Sequence, residues 1–179
     1  MELYAQRGYE NTTVAEIAER AGLTERTFFR HFADKREVLF GSAADLRDAL
    51  VEAVAAAPES LSPLETVAVG LEAAAAVLPD RRDISRRRQA IIDANAELRE
   101  RELGKFAALV QALAGALRER GLEDPAATLA AELGIAVFRV AFGRWIDEAN
   151  DRALGELVRE ALDEVKALTV AERPAARSR

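Results

Sequence analysis

The sequence predicts an all-α protein, and three observations carry that prediction. Apolar residues recur at spacings of three and four in nearly every segment, with no sustained alternation of the kind a half-buried strand shows. Ten glycines and five prolines in 179 residues are too few for a turn-rich β architecture. Three Ser/Thr/Asp-x-x-Glu boxes, the local signature of a helix start, punctuate the chain. At this length one domain, or one domain carrying a small second module, is expected.

Nine helices follow in order. A short first helix over 2–6 ends at Gly8, a residue free to take the left-handed conformation of a helix stop. Thr13 and Glu16 form a capping box for the second helix, whose stripe of Val14, Ile17, Ala18 and Ala21 stops at Gly22. Thr24 caps a third helix over 25–32. Asp34 and Glu37 form the next box and open one long helix to about residue 57, carrying Val38, Leu39, Leu46, Leu50 and Val54, which reads as a rigid link between two modules. Ser62-Pro63-Leu64-Glu65 unites an N-cap, a first-turn proline and a capping glutamate, so a fifth helix runs to about 78 before Pro79 and Asp80 break it. The remaining helices are expected over 82–94, 97–120, 125–149 after an Asp124 cap, and 152–171 after Asp151. Residues 1–44 thus read as an N-terminal module, 45–171 as a helical body and 172–179 as a basic tail.

Composition narrows the chemistry. The absence of cysteine removes disulfide scaffolds, thiol nucleophiles and zinc-thiolate sites, and a lone histidine leaves no imidazole cluster for a metal. Asp93 and Glu97 share a helix face, but no histidine stands three residues on to complete a metal motif. No metal, cofactor or enzymatic activity is therefore expected. The start of the chain carries no basic segment followed by an apolar one, and no uncharged apolar run approaches the ~18 residues of a membrane span. A cytoplasmic location without a membrane partner is the expectation. The net charge of −6 is uneven: residues 1–36 balance six basic against six acidic groups, whereas 37–171 carry sixteen against twenty-four. The acidity belongs to the body, so the overall charge does not argue against nucleic acid at the N-terminal module.

The most informative segment is TVAEIAERAGLTERTFFRHFADKREVL, from Thr13 to Leu39. A short helix, a tight turn at Ala21-Gly22-Leu23 and a second short helix are the parts of a helix-turn-helix, whose second helix enters a DNA major groove. Phe28 and Phe32, with Leu23, Val14 and Ile17, make a small core, which leaves Thr24, Glu25, Arg26, Thr27, Phe29, Arg30 and His31 for another surface. Arg26 suits a bidentate bond to a guanine edge, Thr27 a thymine methyl or a phosphate, and Lys35 and Arg36 supply charge for the phosphate backbone. The run RGYENTTVAEIAERAGLTERTFFRHFADKREVLF resembles the DNA-binding domain of the tetracycline-repressor-like (TetR) regulators. It shares their R-G-Y lead-in, the A-G-[LV]-[ST]-x-x-T turn and the F-x-x-K-x-x-[LV] exit. The resemblance spans about the first 45 residues and implies DNA contacts at Thr27, Phe29, His31 and Lys35, with Phe29 standing where the family more often has tyrosine. It also implies a longer first helix with basic residues ahead of it than stands before Tyr9 here.

Three further features lie in the body. Arg81, Arg82, Arg86, Arg87 and Arg88 crowd one helix start, which suits either anion binding or surface and interdomain ion pairs with Glu97, Glu100 and Glu102, with at most one arginine facing inward. The helix expected over 125–149 is apolar on more than one face. Ala130 and Gly134 allow close approach there, and Leu154, Leu157, Val158, Ala161, Leu162 and Val165 give the last helix a matching stripe. Two such helices from each of two chains make a four-helix dimer interface; the other reading is a core helix of a monomer. Phe106, Val110, Leu113, Phe138, Phe142 and Trp145 concentrate aromatic and branched residues on two helices, as plain core or as a ligand cage. The family resemblance implies an apolar cavity among the fourth to eighth helices, and Gln89, Asp93 and Asn95 suit its polar markers. Together these features predict a homodimeric regulator, most simply a repressor, that leaves a palindromic operator when a small, largely apolar effector binds. The rival is a helical ligand-binding or interaction protein whose helix-turn-helix no longer binds DNA.

Overall fold

A computed structural model describes residues 1–78, 81–147 and 149–170, the side chains of 169 and 170 excepted. Among the described residues there are ten helices and no strand: α1 (Glu2–Arg7), α2 (Val14–Arg20), α3 (Glu25–His31), α4 (Glu37–Phe40), α5 (Ala43–Ala56), α6 (Pro63–Val77), α7 (Arg82–Ala94), α8 (Ala96–Glu119), α9 (Ala126–Trp145) and α10 (Leu154–Val170). The expected break at Pro79 and Asp80 and the basic tail 172–179 lie outside the described residues.

Local chemistry sets most boundaries. The boxes at Thr13 and Ser62 close in both directions, each hydroxyl accepting from the glutamate amide while the glutamate carboxylate accepts from the cap amide. Gly8, Gly22 and Gly121 sit at φ +80°, +69° and +89°, in the left-handed region, ending α1, α2 and α8. The box expected at Asp34 does not form. Asp34 bonds the Arg36 amide at 2.7 Å and the Arg36 guanidinium, and α4 begins at Glu37 without a side-chain cap.

The single helix expected from 34 to about 57 is divided into α4 and α5 at Gly41 and Ser42. Two features meet there: the local Gly41–Ser42 pair, and Arg88 Nε, which donates at 2.5 Å to the Leu39 carbonyl that an unbroken helix would offer to the Ala43 amide.

The body core lies between α5, α6, α8, α9 and α10, with Leu50, Val54, Val67, Leu71, Leu113 and Val158 wholly enclosed. Each such branched side chain contributes roughly 1.5–3 kcal/mol on burial. Two glycines let backbones approach where the helices cross. A Cβ at Gly70 would stand 2.7 Å from Val54 Cγ2, and one at Gly134 would stand 2.6 Å from Val67 Cγ1. A second cluster joins the N-terminal helices to the body: Tyr4, Tyr9, Leu39 and Phe40 pack with Ile91, Ile92 and Leu98. The helix-turn-helix is therefore seated on α7 and the start of α8.

Candidate nucleic-acid interface

Thr24 Oγ1 accepts from the Thr27 amide at 3.2 Å and so fixes the start of α3. Phe28 is the buried anchor of this helix, with ring centroids 5.2 Å from Phe32 and 5.5 Å from Phe29. With Phe28 turned inward, Thr24, Glu25, Arg26, Phe29, Arg30 and His31 are exposed together and Thr27 is half-buried. Phe29 keeps 53% of its surface in solvent, a large apolar ring on a face otherwise polar and basic. Leu23, expected in the small core, is 44% exposed, because its amide closes the turn onto the Ala18 carbonyl at 2.8 Å and carries the side chain outward.

Lys35 is placed differently from the free cation its sequence position suggested. Its Nζ donates to the carbonyls of Tyr9 at 2.8 Å, Thr12 at 3.1 Å and Glu10 at 3.3 Å, and lies 4.3 Å from the centre of the Tyr9 ring. The Tyr4 hydroxyl donates to the Lys35 carbonyl at 2.6 Å. Lys35 therefore binds the α1–α2 connection to the end of α3. Arg36, the other expected phosphate cation, pairs with Asp34 and with Glu97 of α8 at 2.7 Å.

Arginine also joins α4 to the body. Arg101 of α8 meets Glu37 of α4 at 2.8 Å. Arg88, with its Leu39 bond, lies 3.5 Å from Glu102 and stacks over the Phe40 ring at 5.1 Å. Burial holds the Arg88 guanidinium below its ordinary value, and Glu102 opposes that shift. Arg82 donates to the Asn150, Asp151 and Arg152 carbonyls, and Arg86 to Ile146 at 2.6 Å. Three arginines of this cluster are thus half-buried, against the single one expected, because main-chain carbonyls at loop and helix ends accept from them.

The family model for bacterial regulatory proteins of the tetR family matches residues 1–41, and the model for the MftR C-terminal domain matches residues 61–169. The chain belongs to the TetR family of transcriptional regulators. Within that family, the transcriptional regulator TcmR of Streptomyces glaucescens is 40% identical over 67 residues, 37% of this chain. The match spans 30% of TcmR's own length. A regulator structure from Mesorhizobium loti covers 93% of this chain and 89% of its own at 24% identity and a TM-score of 0.61. The repressor FadR of Thermus thermophilus, solved with lauroyl-CoA, covers 100% and 95% at 23% identity and a TM-score of 0.57. Both share the TetR fold: an N-terminal helix-turn-helix on a helical body.

In this TetR chain the residues expected to form a ligand cage mostly pack as core. Val110, Leu113, Phe138 and Trp145 are buried in the main cluster, with Phe106 and Phe142 half-buried against it. Gln89 donates to Asp93 and Glu102, both at 3.0 Å, and Asp93 is exposed. Trp145 borders a cleft of about 430 Å³, shared with Arg82 and the α9–α10 loop.

The expected dimer residues are likewise taken up within one chain. Leu154, Leu157, Val158, Ala161 and Leu162 face the body core, Gly134 lies against Val67, and Ala130 and Val165 are half-buried beside them. The α9 surface left in solvent bears Leu129 at 66% exposure and Val140 at 49%, with exposed Ala136 and half-buried Leu133 between them.

Sequence reasoning passed over Lys105. Leu98, Glu102, Lys105, Leu109 and Leu113 follow one three-four stripe of α8, so two charged residues occupy positions in the inward register. That break in pattern was the available signal.

Proposed function

We propose that this chain is a homodimeric repressor that reads a palindromic operator with α3 and releases it when a small molecule occupies the helical body. The observation that carries the reading is the exposed face of α3, where Arg26, Arg30 and His31 stand together beside Phe29 on a helix fixed by Thr24 and Phe28. Glu25, Arg26 and Thr27 act on base edges, Phe29 on a thymine methyl, and Thr24, Arg30 and His31 on the backbone. Residues 1–44 serve as the reading head and 45–171 as the effector and dimer unit, operating in the cytoplasm. The dimer partner is a second copy docked on the outward stripe of α9, because the inward faces of α9 and α10 already fill the body core.

Selection from a random duplex pool tests this. An enriched inverted repeat with half-site centres ~34–36 Å apart, bound less tightly as salt rises, supports it. A pool without enrichment favours the helical binding protein with a silent helix-turn-helix.

A further inference from the structure

A cleft of about 460 Å³ lies where the reading head meets the body, within the roughly 300–1,000 Å³ range of small-molecule sites. One wall is the end of α3 with the α4–α5 break, and the other is α8 from Arg101 to Leu109. Small residues on both sides, Gly41, Ala43 and Ala44 facing Gly104 and Ala108, leave the space open. The lining is amphipathic. Phe32, Phe40 and Leu109 supply apolar surface, while Arg47, Arg101 and Lys105 outnumber one carboxylate, Glu37, and His31 adds a polar ring.

The cations are not equivalent. Arg101 is paired with Glu37 at 2.8 Å and Arg47 with Asp48 at 2.7 Å. Lys105 has neither a hydrogen bond nor an ion pair among the described residues; its Nζ lies 5.5 Å from the Phe106 ring centre. An ammonium withdrawn from water with no direct bond, and only the longer-range pull of Glu102 against the push of Arg88, is costly, and a bound anion reduces that cost whereas a neutral head does not.

We propose that this cleft binds an organic anion carrying a compact apolar group, its acidic head held by Lys105 between Arg47 and Arg101 and its apolar part against Phe32 and Leu109. Burial, and secondarily the Arg88 charge, push the Lys105 ammonium down to about 8, which keeps it charged at neutral pH. The occupant touches His31 and Phe32, directly after the base-reading positions, so its binding shifts the head against α8. The inference deepens the repressor reading and rests on it for the effect on DNA alone.

Two fluorescent probes of one shape test the site: anilinonaphthalene sulfonate, which is anionic, and phenylnaphthylamine, which lacks the sulfonate. The sulfonate probe binds the parent protein, and Lys105→Met weakens it about tenfold or more while leaving the neutral probe unchanged. Gly104→Trp projects an indole into the cleft from a position where a new Cβ meets nothing within 4 Å, so it abolishes binding of the anionic probe, with circular dichroism and the melting temperature checking that the variant is folded. The anionic probe also weakens binding to the selected duplex in the parent and not in Lys105→Met. Equal affinity of the sulfonate probe for parent and Lys105→Met, or unchanged binding in a folded Gly104→Trp protein, overturns the site. A protein that binds the probe through Lys105 but selects no duplex overturns the repressor reading and leaves the site standing.

Discussion

Lys35 and Arg26 belong to one motif, yet their surroundings separate their roles. Arg26 is exposed on α3, so Arg26→Ala leaves the melting temperature unchanged and relaxes base preference in the selected operator. Lys35→Ala strips three carbonyls of their donor and loosens the α1–α2 connection. Its expected cost is about 1–3 kcal/mol of stability, read by urea unfolding, with DNA affinity falling only as the head becomes less ordered. A Lys35→Ala protein as stable as its parent but weaker on all duplexes would restore Lys35 as a direct phosphate contact. Lys105 gives a pH signature. Its value of about 8 in the folded chain lies below that of an exposed lysine, so the folded state binds fewer protons than the unfolded one. Stability contributed by this residue therefore rises with pH from about 8 towards the ordinary lysine value, while its hold on an anion is lost over the same rise. Arg88 and Glu102 face it from α7 and α8, and His31, Glu37, Arg47 and Arg101 share the cleft, so Lys105→Met is the control that isolates its share. Denaturation midpoints of the parent and Lys105→Met proteins across that window should converge as pH increases.

At the scale of elements, what was legible depended on how local the cause was. The caps at Thr13, Thr24 and Ser62 and the stop at Gly22 act within four residues, and the helices they bound follow the sequence closely. The α4–α5 break was only partly legible: Gly41–Ser42 mark a local weak point, but the Arg88 bond to Leu39 forms only in the folded chain. The same limit applied to the stripe on α10, which signals an apolar partner without saying whether that partner is α9 of its own chain or of another. Gly41 and Gly134 test the break and the α6–α9 crossing in turn. Gly41 has φ −55°, and an added Cβ there meets the Glu37 carbonyl oxygen at 3.6 Å, ordinary contact. Gly41→Ala should gain about 0.5–1 kcal/mol and reduce the influence of the anionic probe on operator binding by stiffening the joint. Gly134→Ala forces a methyl against Val67 and should cost about 1–3 kcal/mol. Chemical denaturation of both variants compares a permissive glycine with an obligatory one.

For the whole molecule, DNA reading and assembly are one problem under the proposed function, in which a single α3 would read half of a palindrome and the second would have to be held one helical turn away. The reading head is fixed to the body through Tyr4, Tyr9, Leu39 and Phe40 against Ile91, Ile92 and Leu98. The separation of two heads is therefore set by whichever surface joins two bodies. The outward stripe of α9 is the surface offered for this, and Val140→Arg places a charge there without touching the core, Val140 being 49% exposed. Leu157→Arg makes the contrast, because Leu157 is 3% exposed inside one chain and an unpaired buried charge costs several kcal/mol. The expected result for Val140→Arg is a folded monomer at micromolar concentration by light scattering, with affinity for the full palindrome reduced to that for a half-site. The Leu157→Arg protein should instead unfold at lower denaturant before any change in assembly. A parent chain that is itself monomeric, or a Val140→Arg protein that remains dimeric and binds the palindrome normally, would remove α9 as the element that sets the spacing between the two heads.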